Sequence, residues 1–184
     1  SSQARGTVLS DGAAYLVVER LAHARARGAK PLAIVGDVVC AADHADLIHP
    51  SADGASMAEA LHPLLAQTKK NRPIQIHLAG VGHPAWDTSE LAGLRRALAE
   101  STSEAVVSCP RRWLGHTFSV SFILESVCAI EALNRQLGFP LDQTADRLLS
   151  AGIVQADKNQ THEQAIVSSL CFGGDAAGVV YHGL

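Results

Sequence analysis

Runs of apolar and β-branched residues alternate along the chain with segments of helical pattern, and glycine, proline or aspartate marks most of the boundaries. The apolar runs predict strands over residues 6–19, 32–42, 74–80, 105–109, 164–172 and 176–182. The segments between them predict helices over 19–27, over 55–68, from an N-cap at Thr88 or Ser89, and from Phe118 to Leu137. This order is typical of an α/β layered fold in which helices cover a mixed sheet.

Local residues refine several of these elements. Asp11 and Gly12 form a pair that marks a turn or bulge inside the first strand, and Gly28 fits the end of the first helix. The strand over 32–42 is almost continuously apolar, which predicts burial on both of its faces. Pro63 is a position at which the second helix can kink.

The most apolar stretch runs from Val120 to Leu137 and is interrupted by Glu125 and Glu131, so it predicts a buried helix rather than a membrane span. Gly138 fits the end of this helix, and a polar connection over 141–163 follows it. No signal peptide is visible, and the chain begins at Ser1 rather than Met, which indicates a fragment or a processed chain.

Composition and charge narrow the classes of function. The 184 residues are 47% apolar, which is enough for a sizeable core, and we predict a single domain over 1–184. The formal net charge of −3 argues against a nucleic-acid partner. Basic residues cluster on one predicted helix and its exit, where a solvated face is favoured over a patch for an anion or partner. They are Arg20, Arg25, Arg27 and Lys30.

The cysteines lie far apart, at Cys40, Cys109, Cys128 and Cys171, and no CxxC pair supports a zinc ribbon or a redox motif. Cys40 and Cys128 stand in apolar runs and are expected to be small buried hydrophobic residues. This cysteine usage indicates a reduced, cytoplasmic protein.

A second group of polar residues could hold a divalent metal: Asp43, His44, Asp46 and His49. No third cluster at a fixed spacing supports such a site, so a solvated loop is favoured. We expect neither a bound metal nor a cofactor.

His116 follows a buried strand and a glycine and precedes the long helix. The positive end of the helix dipole disfavours imidazolium, so the ring should be neutral and able to donate one N–H. A neutral histidine that faces developing negative charge can stabilise an enolate or oxyanion. A hydrogen-bonded structural histidine is the alternative, and position alone slightly favours it.

Gly173 and Gly174 can form a tight turn or allow the backbone to approach a ligand. A hairpin turn explains the two glycines by themselves, but Phe172 directly before them has room to swing and suits a gate. Trp86 and Trp113 are expected to be packing aromatics, and Trp113 could instead line an acyl or partner surface.

Four stretches together resemble the C-terminal half of the β-ketoacyl-acyl-carrier-protein synthases, which are condensing enzymes of the thiolase fold. They occur in the right order with plausible spacing: VLSDGAAYLVVERLAHARARGAKPLA (8–33), AWDTSELAGLRRAL (85–98) with the loop before it, SCPRRWLGHTFSVSF (108–122) and SSLCFGGDAAGVVY (168–181). The LGH and LCFGG motifs are also similar to those of thiolases, whereas VVERLAHARARGA is more similar to the synthases.

The resemblance implies a mechanism and roles for individual residues. In the family, a Cys in the N-terminal half takes the acyl chain from acyl carrier protein, and two histidines assist malonyl decarboxylation and stabilise the enolate and the oxyanion. His116 matches the second histidine, and Arg111 stands where the family has a lysine. Phe172 matches the gating phenylalanine, with Gly173 and Gly174 in its loop.

The chain departs from the family at the first histidine. Ala79 occupies that place and Val81 occupies a hydroxyl place, and removal of one oxyanion donor typically costs about 10²–10³ in rate. His77 or His83 could compensate from nearby, with His83 reaching inward from its loop. Cys171 matches a general-base cysteine of thiolases, but a buried strand cysteine is favoured.

Three functions follow from the resemblance. The first is a degenerate subunit that shapes the acyl pocket of an active synthase, as chain-length-factor subunits do, in fatty acid, polyketide or polyene synthesis. The second is the C-terminal part of an active synthase, and a weaker third is a thiolase-like degradative enzyme. The half that carries the nucleophile is absent from this chain, so the expected partners are an active ketosynthase subunit or the chain's own N-terminal half, together with acyl carrier protein.

Overall fold

The computed structural model describes residues 6–69, 72–101, 104–137 and 162–184. Within these ranges the helices are α1 Leu21–Ala26, α2 Ala55–Ala66, α3 Pro84–Ala99, α4 Arg111–Leu114 and α5 Ser121–Arg135. The strands are β1 Ile34–Ala42, β2 Ile74–His77, β3 Ala105–Ser108, β4 Gln164–Leu170 and β5 Asp175–His182. Short 3₁₀ turns at Phe118–Val120 and Phe172–Gly174 precede α5 and β5.

The strands form one mixed sheet in the order β1-β5-β4-β2-β3. β5 pairs antiparallel with β1 and with β4, whereas β2 pairs parallel with β3 and with β4. Parallel neighbours need a crossover connection, and α3 supplies the one from β2 to β3. The predicted α/β fold with a mixed sheet layered by helices is therefore confirmed.

Each face of the sheet carries its own hydrophobic core. On one face, Leu61 of α2 and Leu94 of α3 belong to the same core as Ile166 of β4, and all three residues are fully buried. On the other face, α5 packs Leu133 against Val167 and neighbouring residues of β4 and β5. Pro63 lies inside α2, which continues past it to Ala66.

The first predicted strand, over 6–19, is wrong. Residues 11–20 have no regular secondary structure, and the pairing in this segment is an isolated bridge from Leu9 to His116. The side chains of Tyr15, Val17 and Val18 are exposed because no strand among the described residues runs beside them.

The prediction that the second strand is buried on both faces is also wrong. This strand, β1, is an edge of the sheet, and Val38 is 63% exposed although it pairs in register with the buried Val179. Cross-strand partners point to the same face, so Val38 lies on the face of α5. That helix covers β4, β2 and β5, and Cys40, which was expected to be buried, is therefore exposed.

The third helix begins earlier than predicted. The N-cap is His83, whose Nδ1 accepts a hydrogen bond from the Ala85 amide at 3.3 Å, rather than Thr88 or Ser89. Pro84 occupies the first helical position, where its missing N–H costs no hydrogen bond.

The long helix, in contrast, begins later than predicted, because residues 118–120 form a 3₁₀ turn before α5. It ends at Arg135, two residues before the predicted Leu137, because Gln136 adopts the left-handed conformation. Gly138 and most of the polar connection over 141–163 lie outside the described residues. No helix in the described part of the chain is long and apolar enough to cross a membrane.

Candidate functional site

A buried ion pair lies at the start of α4. The Arg111 Nε donates to Glu125 Oε1 at 2.7 Å, and the two residues are only 6% and 1% exposed. Arg111 is placed by the end of β3, and Glu125 by the second turn of α5. Burial raises the pKa of Glu125 to about 7, while the guanidinium of Arg111 opposes that rise.

A second buried carboxylate lies under the turn that follows β2. Glu90, on α3, accepts hydrogen bonds from the Ala79 amide at 2.6 Å and from the Gly80 amide at 2.9 Å. Burial raises its pKa to about 7, against the effect of these two hydrogen bonds and of Arg111. One buried cation is thus balanced against two buried carboxyl groups.

Neither glutamate was identified as a site residue from the sequence, although both left a signal. Glu125 is a charge in the middle of the most apolar stretch, and a buried charge needs a partner. The predicted N-cap at Thr88 or Ser89 would place Glu90 in the first turn of its helix. With the N-cap at His83, Glu90 moves to the second turn and faces the end of β2.

Ala79, predicted from the resemblance to match the family's first histidine, is completely buried. Its amide is held by Glu90, and its carbonyl lies 3.8 Å from the thiol of Cys109. Gly80 has a φ of +52°, and a Cβ there would collide with the sulfur of Cys109. The turn is therefore closely packed on the side of β3, and Cys109 itself has a pKa raised to about 12, chiefly by burial.

His116 is half-buried at the junction of α4 and α5. Its amide donates to the Val8 carbonyl at 2.8 Å, and its carbonyl accepts from the Ser10 amide at 3.1 Å, so the N-terminal segment holds its backbone. The ring Nδ1 is 3.5 Å from Ser121 Oγ, and the ring contacts Phe118 at 5.2 Å. Partial burial and the charge of Arg111 lower its pKa, which favours the neutral imidazole.

Phe172 belongs to a separate aromatic cluster. Its ring is 70% exposed and stands edge-on to Trp86, with centroids 5.6 Å apart and an angle of 85°. The indole also contacts His83 at 4.8 Å and His49 at 5.2 Å. Trp86 is packed as predicted, whereas Trp113 is 64% exposed and is not a packing aromatic.

The turn after Phe172 is built on glycines with positive φ, +76° at Gly173 and +73° at Gly174. The Gly173 amide donates to the Ile48 carbonyl at 3.3 Å, which joins this turn to the loop between β1 and α2. Cys171, expected to be buried, is exposed, because it lies just beyond β4 where the chain enters the turn.

The structure thus groups the site residues in two sets. Ala79 and Arg111 meet through Glu90, with His116 beside Arg111, while Phe172 and His83 share contacts with Trp86. No hydrogen bond or ring contact between described residues joins His116 to Phe172.

The two other histidines near Ala79 are engaged elsewhere. His77 is fully buried, its Nε2 lies 3.2 Å from Gln75 Oε1, and its pKa is lowered to about 3, chiefly by burial. His83 is exposed and uses Nδ1 to cap its own helix.

The acidic residues of the loop between β1 and α2 organise its backbone. Asp43 accepts from the amides of Ala45 and Ser51, and Asp46 accepts from those of Ile48 and His49. No group of three or more metal-ligating side chains is found among the described residues.

The described residues thus form a five-stranded mixed sheet between helical layers, with a buried charge network and a glycine turn at its strand ends. The sequence profile of the family described as "Beta-ketoacyl synthase, C-terminal domain" matches residues 32–141, and the chain belongs to this family.

Individual relatives agree with this assignment. The chain is 30% identical over 184 residues to 3-oxoacyl-[acyl-carrier-protein] synthase 2 of Vibrio cholerae. The alignment covers 96% of this chain and 44% of the relative. It therefore spans less than half the length of the curated relatives it matches.

Solved structures show the same fold. One is a type II polyketide synthase acyl-carrier protein in complex with its ketosynthase, with a TM-score of 0.74 and 20% sequence identity. The superposition covers 90% of this chain and 42% of the matched chain. Another is the ishigamide ketosynthase/chain length factor, with a TM-score of 0.71 at 19% identity over 89% and 41%.

Proposed function

We propose that this chain is a ketosynthase-like subunit that completes the acyl pocket of an active synthase during chain elongation on acyl carrier protein, and that it is not itself catalytic. The proposal depends chiefly on position 79, which is occupied by alanine. Alanine offers no N–H donor from its side chain, and Glu90 already holds the two backbone amides of this turn. Position 79 therefore supplies no donor for an oxyanion.

The charge network supports a scaffolding role. The Nε of Arg111 is tied to Glu125 and the residue is almost completely buried, so its guanidinium serves the packing of α4 on α5. A compact lysine ammonium in the same place would be a more mobile point charge. His116 keeps one useful function: if its Nδ1 accepts from Ser121, its Nε2 can donate to an oxyanion or to a partner group.

Exposed apolar surface supports a partner that completes the fold. The extended segment with Tyr15, Val17 and Val18 lies on the same side of the sheet as α5, since Leu16 packs into the core on that face. The edge strand adds Val38 to the same side. Exposed apolar side chains that share one side of a sheet favour a protein interface there.

The occupant we propose is the half of a ketosynthase that carries the nucleophile, either in a separate active subunit or in the chain's own N-terminal half. Acyl carrier protein then delivers the acyl chain to the assembled pair. The relative solved with an acyl-carrier protein and the one described as a ketosynthase/chain length factor are similar in fold to this chain and motivate both partners.

Two measurements test the proposal. Tagged chain should co-purify with a ketosynthase subunit or with its own N-terminal half, and the purified 184-residue chain should not decarboxylate malonyl-acyl carrier protein. Turnover by the chain alone, abolished by His116→Ala, would overturn the non-catalytic assignment. A monodisperse monomer with no affinity for a ketosynthase would remove the role as a subunit.

The alternative is the C-terminal part of an active β-ketoacyl-acyl-carrier-protein synthase that catalyses decarboxylative Claisen condensation. The retained His116 and the Phe172-Gly173-Gly174 turn favour it. The sequence encoded before Ser1 discriminates between the two. A cysteine in a strand-to-helix turn there supports the enzyme, and glutamine, glycine or serine in its place supports the non-catalytic subunit.

A further inference from the structure

We infer that Trp86 is a positioning residue for the Phe172 turn and that it holds the phenyl ring of Phe172 in one place. The inference concerns how this turn is controlled, and it does not depend on whether the assembled protein is active.

Few contacts among the described residues hold this turn in place. The Cys171 amide donates to the Asp175 carbonyl at 2.7 Å, which closes the base of the turn. Gly173 and Gly174 both have positive φ, a region that glycine adopts without strain. Phe172 is largely exposed, so burial in the core does not hold its ring. An exposed side chain beside two glycines will move unless a neighbour fixes it.

Trp86 provides that neighbour. The indole is anchored, since the residue is only 8% exposed and belongs to the core between the sheet and α2 and α3. Its contact with Phe172 is close to perpendicular, at 85° and 5.6 Å, the edge-to-face geometry that aromatic pairs prefer. The anchored indole on α3 therefore supports the exposed phenyl ring on the turn.

The same indole also contacts the loop between β1 and α2. His49, on that loop, lies 5.2 Å from Trp86, and the loop backbone at Ile48 accepts the Gly173 amide. The carboxylate of Asp43 fills the space that a Cβ on Gly174 would need. The turn and the loop thus contact each other, and both also contact Trp86, which is buried.

The experiment measures opening of the turn in purified protein by two independent readouts. The first is amide hydrogen exchange at Gly173 and Cys171. The second is the reaction rate of the exposed Cys171 thiol with a disulfide reagent, measured in a Cys40→Ser background because Cys40 is exposed as well.

Trp86→Ala should accelerate both readouts by about three- to tenfold, the effect that the loss of one aromatic pair would give. Trp86→Phe retains a ring and should restore most of the protection. Trp113→Ala is the matched control, since it removes an exposed indole outside the cluster and should change neither readout. Exchange of the Leu78 amide, bonded to the Ser108 carbonyl, reports the sheet and should stay constant.

Because Trp86 belongs to the core, Trp86→Ala could unfold the protein, so Phe172→Leu tests the same contact from its exposed side. We expect Phe172→Leu to accelerate exchange at Gly173 to a similar extent, with no further acceleration when it is combined with Trp86→Phe. Equal exchange in wild type and Phe172→Leu, or equal effects of Trp113→Ala and the cluster variants, would overturn the inference.

Discussion

The carboxylate of Glu90 holds the backbone of Ala79, with Oε1 of the glutamate 2.6 Å from the alanine amide nitrogen. This contact fixes the turn after β2 from the side of α3, while Cys109 packs against the same turn from β3. The position that we predict to match the family's first histidine is therefore surrounded by packed protein in the described part of the chain.

A histidine introduced at position 79 tests this packing. We expect Ala79→His to lower the free energy of unfolding by about 1–3 kcal/mol, because an imidazole must be forced into a space with no exposed surface. Chemical denaturation measures the change. A variant as stable as the wild type, with gained decarboxylase activity, would show that the site has room for the donor.

Gly80→Ala tests the packing of Cys109 against this turn. The new Cβ meets the sulfur of Cys109 and must adopt a φ of +52°, so we expect a loss of about 2–4 kcal/mol in the free energy of unfolding. A second substitution, Cys109→Ala, removes the sulfur and should recover the part due to the collision. The cost of the left-handed backbone, about 1–2 kcal/mol, should remain. Additive losses in the double variant would contradict this account.

Glu125 should make stability depend on pH in a definite direction. Its pKa is about 7 in the folded protein against 4.5 for the ordinary carboxyl, so the folded state binds more protons between these values. The contribution of Glu125 is therefore fully present below pH 4.5 and is lost as the pH rises through 7. Glu125→Gln cannot ionise, and its stability relative to the wild type should improve with pH across this window.

The comparison of two proteins is essential for that measurement, since His77 acts in the opposite direction. Its lowered pKa makes the wild type lose stability as the pH falls below 6.5 towards 3. This effect is common to wild type and Glu125→Gln and cancels in the difference. A difference that does not vary with pH would mean that Glu125 titrates normally.

The cysteines should differ in reactivity towards a thiol reagent at neutral pH. Cys40 and Cys171 are exposed, whereas the pKa of Cys109 is raised to about 12 by burial and by the nearby Glu90. Since the thiolate is the reactive form, we expect Cys109 to be modified last. Peptide mass spectrometry over a time course gives the order. Rapid labelling of Cys109 in folded protein would contradict the packing of the Ala79-Gly80 turn.

The sequence predicts the central part of this fold well, because glycine and proline boundaries and apolar runs are local signals. β2, β3, β4 and β5 lie within one to three residues of their predicted ends. Errors arose where burial depends on distant partners. The apolar run of β1 does not reveal that it is an edge strand, and the pattern over 6–19 does not reveal that no neighbouring strand is present.

The candidate site shows the same division. His116, Phe172 and the glycine turn stand in recognisable motifs, so they could be identified from the sequence. Glu90 could not, because its role depends on where α3 begins, and His83 as N-cap shifts it by more than a turn. The contact between Trp86 and Phe172 joins residues far apart in the chain, and no local pattern predicts it.

The extended segment with Tyr15, Val17 and Val18 has a consequence for the lifetime of the protein in the cell. Its backbone pairs with no strand in the described part of the chain, and an extended apolar segment that is left unpaired is a template for aggregation and a target for quality control. If the proposed partner covers this segment, the steady-state amount of the chain should follow the supply of that partner, because surplus copies would be degraded.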